Sequence, residues 1–144
     1  MSSFKAFEIA GSGMSAQSVR LNTTASNLAN AESVSGTPEG VYKARHPIFE
    51  AVRAQLATGP HAGEANANAA VRVRGIYESQ APAAQRYEPG NPLADANGYV
   101  YAPAVNVVEE MVNMISASRS YQNNVEVMNT SKDLLLATLR LGQG

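Results

Sequence analysis

With 144 residues, the chain is one domain-sized unit, large enough for a core but not for two comfortable ones. Its net charge of −1 excludes the basic footprint of nucleic-acid binding or of attachment to an anionic membrane. Charged residues are only 16% of the total, against about 25% in ordinary soluble domains, which is sparse cover for long solvated helices. Cysteine is absent, so neither disulfides nor thiolate chemistry is available. No run approaches the roughly 20 apolar residues of a membrane span. At the N-terminus Glu8, Gly11, Ser12 and Gly13 interrupt what would be the apolar region of a cleaved signal peptide.

Ser2 or Ser3 can cap a first helix, because a serine oxygen accepts from an orphan amide one turn on. Phe7, Met14, Leu21 and Leu28 then recur every seven residues, and Phe4, Gly11, Ser18 and Ala25 form a second column that is mostly small. The small column predicts close approach of another backbone. Between Phe4 and Ala31 the charges are only Lys5, Glu8 and Arg20, whereas an isolated coiled coil carries charged flanks and a solvated outer face. A plain surface helix with one apolar stripe satisfies the periodicity. The low charge favours a helix touched by neighbours on several sides.

From residue 32 to residue 104 the texture changes. Gly36, Pro38 and Gly40 forbid a continuing helix. Val41 to Phe49 reads as a short strand with Pro47 confined to an edge, and Ile48 to Leu56 reads equally as a short helix. Residues 57–70 are small and low in complexity, which predicts a flexible loop. Val71 to Glu78 alternates apolar and polar, the period of a half-buried strand. Asp95-Ala-Asn-Gly98 supplies turn chemistry ahead of a strand at Tyr99-Val-Tyr101, and Pro103 ends the extended segment.

The final stretch runs from Val105 to Gly144 with no proline or glycine before Gly142. Val108, Met111, Val112, Ile115, Val125, Met128, Leu135, Leu136 and Leu139 recur at steps of helical spacing. A helix over about 107–141 would be roughly 50 Å long at 1.5 Å per residue. Ordinary globular helices run about 11–12 residues, so this one needs a partner along its length. The two seams, Phe7, Met14, Leu21 and Leu28 on one helix and Val108, Ile115, Val125 and Leu136 on the other, predict an antiparallel coiled coil. The fold expected is mainly α, with long terminal helices paired and a small β-rich insert between them. Residues 1–32 and 104–144 would form an inner domain and 33–103 an outer one.

Catalytic chemistry is thin. Gly11-Ser-Gly13-Met-Ser-Ala16 formally fits a dinucleotide fingerprint, but the glycines lie inside a helical pattern with no preceding strand. His46 and His61 lack the spacing of a zinc pair. Glu109 and Glu110 are adjacent, so in a helix they do not share a face, and they suit its positive N-terminal end instead. No nucleophile elbow is present. The expectation is no enzyme, no cofactor and no metal.

Ser12-Gly-Met-Ser-Ala-Gln17 followed by Leu21 and by Ala25-Ser-Asn-Leu-Ala-Asn30 resembles the N-terminal motif of axial flagellar proteins. Tyr87-Glu-Pro-Gly-Asn-Pro-Leu-Ala-Asp-Ala-Asn-Gly-Tyr-Val100 is similar to a segment of the proximal rod members of the flagellar basal-body rod protein family. Val105-Asn, Glu110-Met-Val, Ser116-Ala-Ser-Arg-Ser-Tyr121, Asn124-Val and Thr138-Leu-Arg-Leu-Gly142 extend that resemblance over about two thirds of the chain. Ala104 stands where the family usually has Asn, and residues 57–70 have no motif to match.

The resemblance implies a structural subunit of the proximal rod. It would polymerise helically with copies of itself and other rod proteins into the periplasmic drive shaft that carries torque from rotor to hook. It also implies passage through the flagellar export apparatus without a cleaved signal; charge and hydropathy point to neither nucleic acid nor a membrane span. The assembly interface expected is Phe7, Met14, Leu21, Asn27, Leu28 and Asn30 on the first helix. On the last helix it is Val108, Met111, Ile115, Tyr121, Val125, Met128, Leu135, Leu136 and Leu139. The other readings are a distal-rod or hook-type axial protein, a coiled-coil adaptor or secretion chaperone, and a cell-wall hydrolase. The hydrolase would need a cleft of titratable groups.

Overall fold

The computed structural model describes residues 3–53 and 69–142. Helix α1 spans Ser3–Asn30 and helix α2 spans Val107–Leu141. Between them lie strands β1 (Arg45–Arg53), β2 (Ala69–Glu78), β3 (Ala84–Tyr87) and β4 (Tyr99–Ala102), with a short 3-10 turn at Pro38–Gly40. Two long helices and a small β part make the chain mainly helical, as the periodicity predicts. No described helix is long and apolar enough to cross a membrane.

Each boundary has a local cause. The Asn106 side chain accepts from the amides of Val108 and Glu109 at 3.1 and 3.3 Å, which satisfies two orphan donors at the start of α2. Glu109 and Glu110 place negative charge in that first turn and Arg140 places positive charge in the last. The amide of Gly142 then closes on Thr138 O at 3.1 Å. At the end of α1, Asn30 turns its Nδ2 back to Ser26 O at 2.8 Å and its carbonyl accepts from Ser33, so the chain leaves the helix with its last groups bonded.

The strands form two separate two-stranded sheets, β1 with β2 and β3 with β4. The β3–β4 pair is antiparallel, with Ala84 opposite Ala102 and Tyr87 opposite Tyr99. The short-helix alternative over Ile48 to Leu56 is corrected through Arg53, because β1 is extended there. Pro47 is tolerated because both strands of a two-stranded ribbon are edges, so its missing donor need not break a ladder. The flexible loop expected over 57–70 is corrected at its end, where Ala69 and Ala70 belong to β2. The rest of that segment, with His61, lies outside the described residues.

The chain divides into two compact units. The first comprises Met1–Val19, Ile48–Gly75 and Ser116–Gly144. The second comprises Arg20–Pro47 and Ile76–Ile115. In the first, Ala10, Ala16, Ala117 and Ser131 are buried. In the second, Val100, Ala102 and Ala44 supply buried apolar side chains beside buried Thr23, Thr24, Asn27 and Glu110. These cores consist of small or polar residues; the large apolar side chains lie elsewhere.

Candidate assembly surface

On α1, Gly13, Arg20 and Asn27 follow one another at intervals of seven and so lie on one face. In the first unit, a Cβ added at Gly13 would lie 2.8 Å from Asn124 Nδ2 of α2, so a side chain there would collide. One residue earlier, Ser12 Oγ accepts the amide of Val71 in β2 at 3.1 Å and donates to Ile9 O at 2.7 Å. The glycine and serine of the Ser12–Gln17 motif therefore act as spacers, one for a helix and one for a strand. The Gly11 column does not play that part. An added Cβ there meets nothing within 4 Å, and Ser18 and Ala25 are exposed. Nor do the glycines form a dinucleotide loop, since both are inside α1.

In the second unit, Arg20 donates to Asn113 Oδ1 of α2 at 2.8 Å. Asn27 is 0% exposed and is the hub of a polar pin. Its Nδ2 donates to Arg45 O at 2.9 Å, and its Oδ1 accepts from Arg45 N at 2.8 Å and from the Tyr42 hydroxyl at 2.9 Å. An asparagine side chain presents the donor and acceptor of a peptide group, so it pairs with the β1 backbone as a strand would. Burial raises the Tyr42 phenol above its ordinary value; the Arg45 guanidinium opposes that shift, and Glu110 and Glu78 add to it. The Arg45 guanidinium also lies 5.9 Å from the centre of the Tyr42 ring.

The β3–β4 hairpin is held by one aspartate. Asp95 Oδ1 accepts from the amides of Asn97 and Tyr99 at 2.8 and 2.9 Å, closing the turn in which Gly98 has φ +81°. A Cβ at Gly98 would sit 3.0 Å from the Tyr87 ring, which meets Tyr99 edge to face at 5.2 Å. Glu88 accepts from Asn91 at 2.9 Å and from Arg86 at 2.6 Å. The Asn91 bond is the larger cause holding its carboxyl below the usual range; desolvation opposes it, and Arg86 adds to the lowering.

Two faces of α2 differ in kind. The buried line is Glu110, Ala117 and Ser131, at multiples of seven, with half-buried Asn124 on the same line. Glu110 Oε2 is buried and has no hydrogen-bond partner among the described residues. On the opposite side, at about 100° per residue, Val108, Met111, Val112 and Ile115 are between 50% and 69% exposed. The helix turns its polar and small residues inward and four large apolar ones outward. Among the described residues no group of His, Asp and Glu is placed to hold a metal ion. The small cavity beside Tyr42, about 20 Å³ and walled by Pro38, Val41, Ala44 and Ser79 among others, has room for one water.

Comparison with known proteins gives these parts a context. A family model described as "Flagella basal body rod protein" matches residues 7–36, and one described as "Flagellar basal body rod FlgEFG protein C-terminal" matches residues 96–141. Flagellar basal-body rod protein FlgC of Salmonella typhimurium is 54% identical over 137 residues, 95% of this chain and 96% of that protein. FlgC of Escherichia coli O6:H1 is 56% identical over 137 residues, again 95% and 96%. FlgC of Yersinia enterocolitica is 54% identical over 143 residues, 99% of this chain and all of that protein. The chain belongs to the FlgC family of flagellar basal-body rod proteins. It is a structural protein of the basal-body rod.

In this FlgC-family chain the expected interface residues fall into three groups. Val108, Met111, Ile115, Tyr121, Leu136 and Leu139 are exposed. Phe7, Met14, Leu21, Leu28, Asn30, Val125, Met128 and Leu135 are half-buried. Asn27 is wholly buried within its own protomer, where it is bonded to the Arg45 backbone. Of the seam residues expected on α2, Val108, Ile115 and Leu136 are exposed in this single protomer, while the small Ala117 and Ser131 are buried. Gly13, Arg20, Glu110 and Ala117 were missed by a reading that followed hydrophobicity. The heptad spacing of Gly13, Arg20 and Asn27 carried the signal that could have found them.

Proposed function

We propose that this chain polymerises with copies of itself and with other rod proteins into the shaft of the basal body, and that the shaft passes torque outward through packed helices. Export through the flagellar apparatus without a cleaved signal belongs to the same reading, as does a mechanical role in place of catalysis. The observation that carries it is the outward stripe Val108, Met111, Val112 and Ile115. Exposed contiguous apolar residues on a chain with few charges mark a surface to be covered by protein. The exposed leucines at the end of α2, Leu134, Leu136, Leu139 and Leu141, fit the same purpose.

Within the protomer, the reading is an inner domain of residues 1–32 and 104–144, with α1 and α2 as an antiparallel coiled coil, and an outer part of residues 33–103. Two contacts support the pairing: Gly13 against Asn124, and Arg20 with Asn113. Position rises along α1 as it falls along α2. A polar line facing inward is what an assembly subunit can tolerate, since neighbouring helices supply the burial that one pair lacks.

The test is Val112→Asp. A charge at this largely exposed position disturbs little within the protomer and, once covered by a neighbour, costs several kcal/mol, on the order given for an unpaired buried charge. The expected result is a soluble chain that fails to enter isolated basal bodies, in cells that do not swim. Normal incorporation with normal swimming would remove the stripe from the interface.

A further inference from the structure

Of the chain's asparagines only Asn97 is followed by glycine. That dipeptide carries a chemistry of its own. A backbone amide nitrogen can attack the side-chain carbonyl of the asparagine before it, and glycine permits the attack because it has no Cβ to crowd the forming ring. Asn97 is exposed and lies in the turn that joins β3 to β4. Its backbone amide is held by Asp95 Oδ1, but its side chain makes no hydrogen bond among the described residues. The group to be attacked is therefore open to water and free to move.

The attacking nitrogen is not free. Gly98 N donates to Asp95 O at 2.9 Å, and Gly98 O accepts from Glu88 N at 2.9 Å. On either side of it, the amides of Asn97 and Tyr99 both donate to Asp95 Oδ1. Gly98 is also packed so closely that an added Cβ would lie 3.0 Å from the Tyr87 ring and 3.2 Å from the Pro89 side chain. To reach Cγ of Asn97, the peptide unit between the two residues must rotate, which takes Gly98 N away from Asp95 O. Ring closure also needs that nitrogen to give up its proton. A nitrogen aimed at a carbonyl, with the Asp95 carboxylate close by, resists the negative charge that this leaves. The aspartate that closes the hairpin thereby closes the reaction path.

We propose that Asn97–Gly98 is a latent deamidation site that the Asp95 turn holds shut while the hairpin is closed. When the turn opens, Gly98 N bonds to Asn97 Cγ, the Cγ–Nδ2 bond breaks, and ammonia leaves with the amide proton. Water then opens the imide ring at either carbonyl, giving aspartate or isoaspartate. Either product adds a carboxylate near that of Asp95, and isoaspartate also inserts a methylene into the main chain between Asp95 and Tyr99. The altered turn cannot regain the spacing by which Asp95 Oδ1 holds both amides, so the change records irreversibly the time the hairpin spends open. The site belongs to this chain's own hairpin and is independent of its polymerisation.

The purified full chain is incubated at neutral pH, folded and in denaturant, and conversion at Asn97 is followed by peptide mass spectrometry. Conversion should be about tenfold or more slower in the folded chain, equivalent to an opening cost of about 1.4 kcal/mol or more. Equal rates overturn the proposal. Asp95→Ala removes the side-chain acceptor and should speed conversion in the folded chain several-fold. Asp95→Asn retains an acceptor oxygen and should stay near the unaltered chain. An Asp95→Ala chain that keeps its helix content by circular dichroism and converts no faster would take the turn out of the account. Should that variant lose its helices, the unaltered chain decides. Hydrogen exchange at the Gly98 amide needs the same opening, so its slowing relative to the unfolded chain should match the slowing of conversion. A mismatch in either direction overturns the proposal.

Discussion

Gly13 and Asn27 lie on the same face of α1, yet they hold their surroundings in opposite ways. In the first unit, Gly13 works by having no side chain, so that Asn124 of α2 fits against the helix, and the neighbouring core is Ala10, Ala16 and Ala117. In the second, Asn27 works through its side chain, which spends both ends of its amide on Arg45 and Tyr42. Asp95 and Asn106 add further side-chain bonds to backbone amides there. At Asn27 the second unit is fixed by directional bonds, and at Gly13 the first is fixed by close fit. Directional bonds specify a structure within a single protomer, whereas close fit of small residues buries little apolar area and gains from neighbours.

The sharpest way to break this contrast is Asn27→Leu. It leaves Arg45 N, Arg45 O and the Tyr42 hydroxyl without partners, and each unsatisfied buried group costs about 1–3 kcal/mol. The expected loss is on the order of 3 kcal/mol or more. The reporter is built in, since Tyr42, Tyr77, Tyr87, Tyr99 and Tyr101 belong to the second unit and only Tyr121 to the first. Thermal melting of the purified chain followed by tyrosine fluorescence should show it, and an unchanged transition would remove Asn27 as the pin.

A pair of glycine substitutions tests the first unit. Gly11→Ala adds a Cβ in open space and gains helix propensity, up to about 1 kcal/mol in its favour. Gly13→Ala gains the same propensity but pushes on Asn124, whose Nδ2 is held by Ser120 O at 3.0 Å. Overpacking of that kind costs about 1–3 kcal/mol, so the sign should reverse between two glycines on one helix. Adding Asn124→Ala should restore most of the loss at Gly13 and do nothing at Gly11. Equal effects at both positions, measured by helix content on heating, would show that close fit is not what holds this unit.

The same contrast explains what could be read from the sequence. The span of α2 was legible because nothing between Val107 and Leu141 interrupts a helix and Gly142 ends it. The strands at Val71–Glu78 and Tyr99–Tyr101 were legible from alternation and turn residues. Strand β3 was not, because Ala84-Gln-Arg-Tyr87 is exposed throughout and carries no periodic signal. The buried line of α2 was not legible, because hydrophobic periodicity marks the residues that must be covered without saying by which chain. Val108 and Ile115 are periodic, large and exposed, while Glu110 and Ala117 lie inside. The pin at Asn27 was visible only as a motif residue, since a buried amide has no composition signature.

A smaller effect distinguishes caps from pins. Asn106→Ala removes the acceptor for two amides at the start of α2 and should cost about 1 kcal/mol, the usual value of an N-cap. Asn106→Ser should restore most of it, because a hydroxyl can take the same role. A tyrosine-monitored transition lowered by a few degrees and rescued by serine would fit. No rescue would mean that Asn106 acts through something other than its side-chain oxygen.

The smallest expected effect is a pH dependence confined to the alkaline side. Burial pushes the Tyr42 phenol above its ordinary 10.0, with the Arg45 guanidinium opposing and the Glu110 and Glu78 carboxylates adding to the shift. A folded value above the unfolded one means that folding favours the protonated phenol. The contribution is therefore fully present below about pH 10 and is lost as pH rises through the folded value. The chemistry agrees with that sign. The Tyr42 hydroxyl donates to Asn27 Oδ1, and a phenolate has no proton to donate. Tyr42→Phe removes both the bond and the titration, at a cost of about 1 kcal/mol for one net hydrogen bond. The unaltered chain should lose tyrosine-monitored stability above pH 10 faster than the Phe variant, and the two curves should converge there. Parallel curves across that range would mean that the hydroxyl is not part of the pin, leaving Asn27 held by the Arg45 backbone alone.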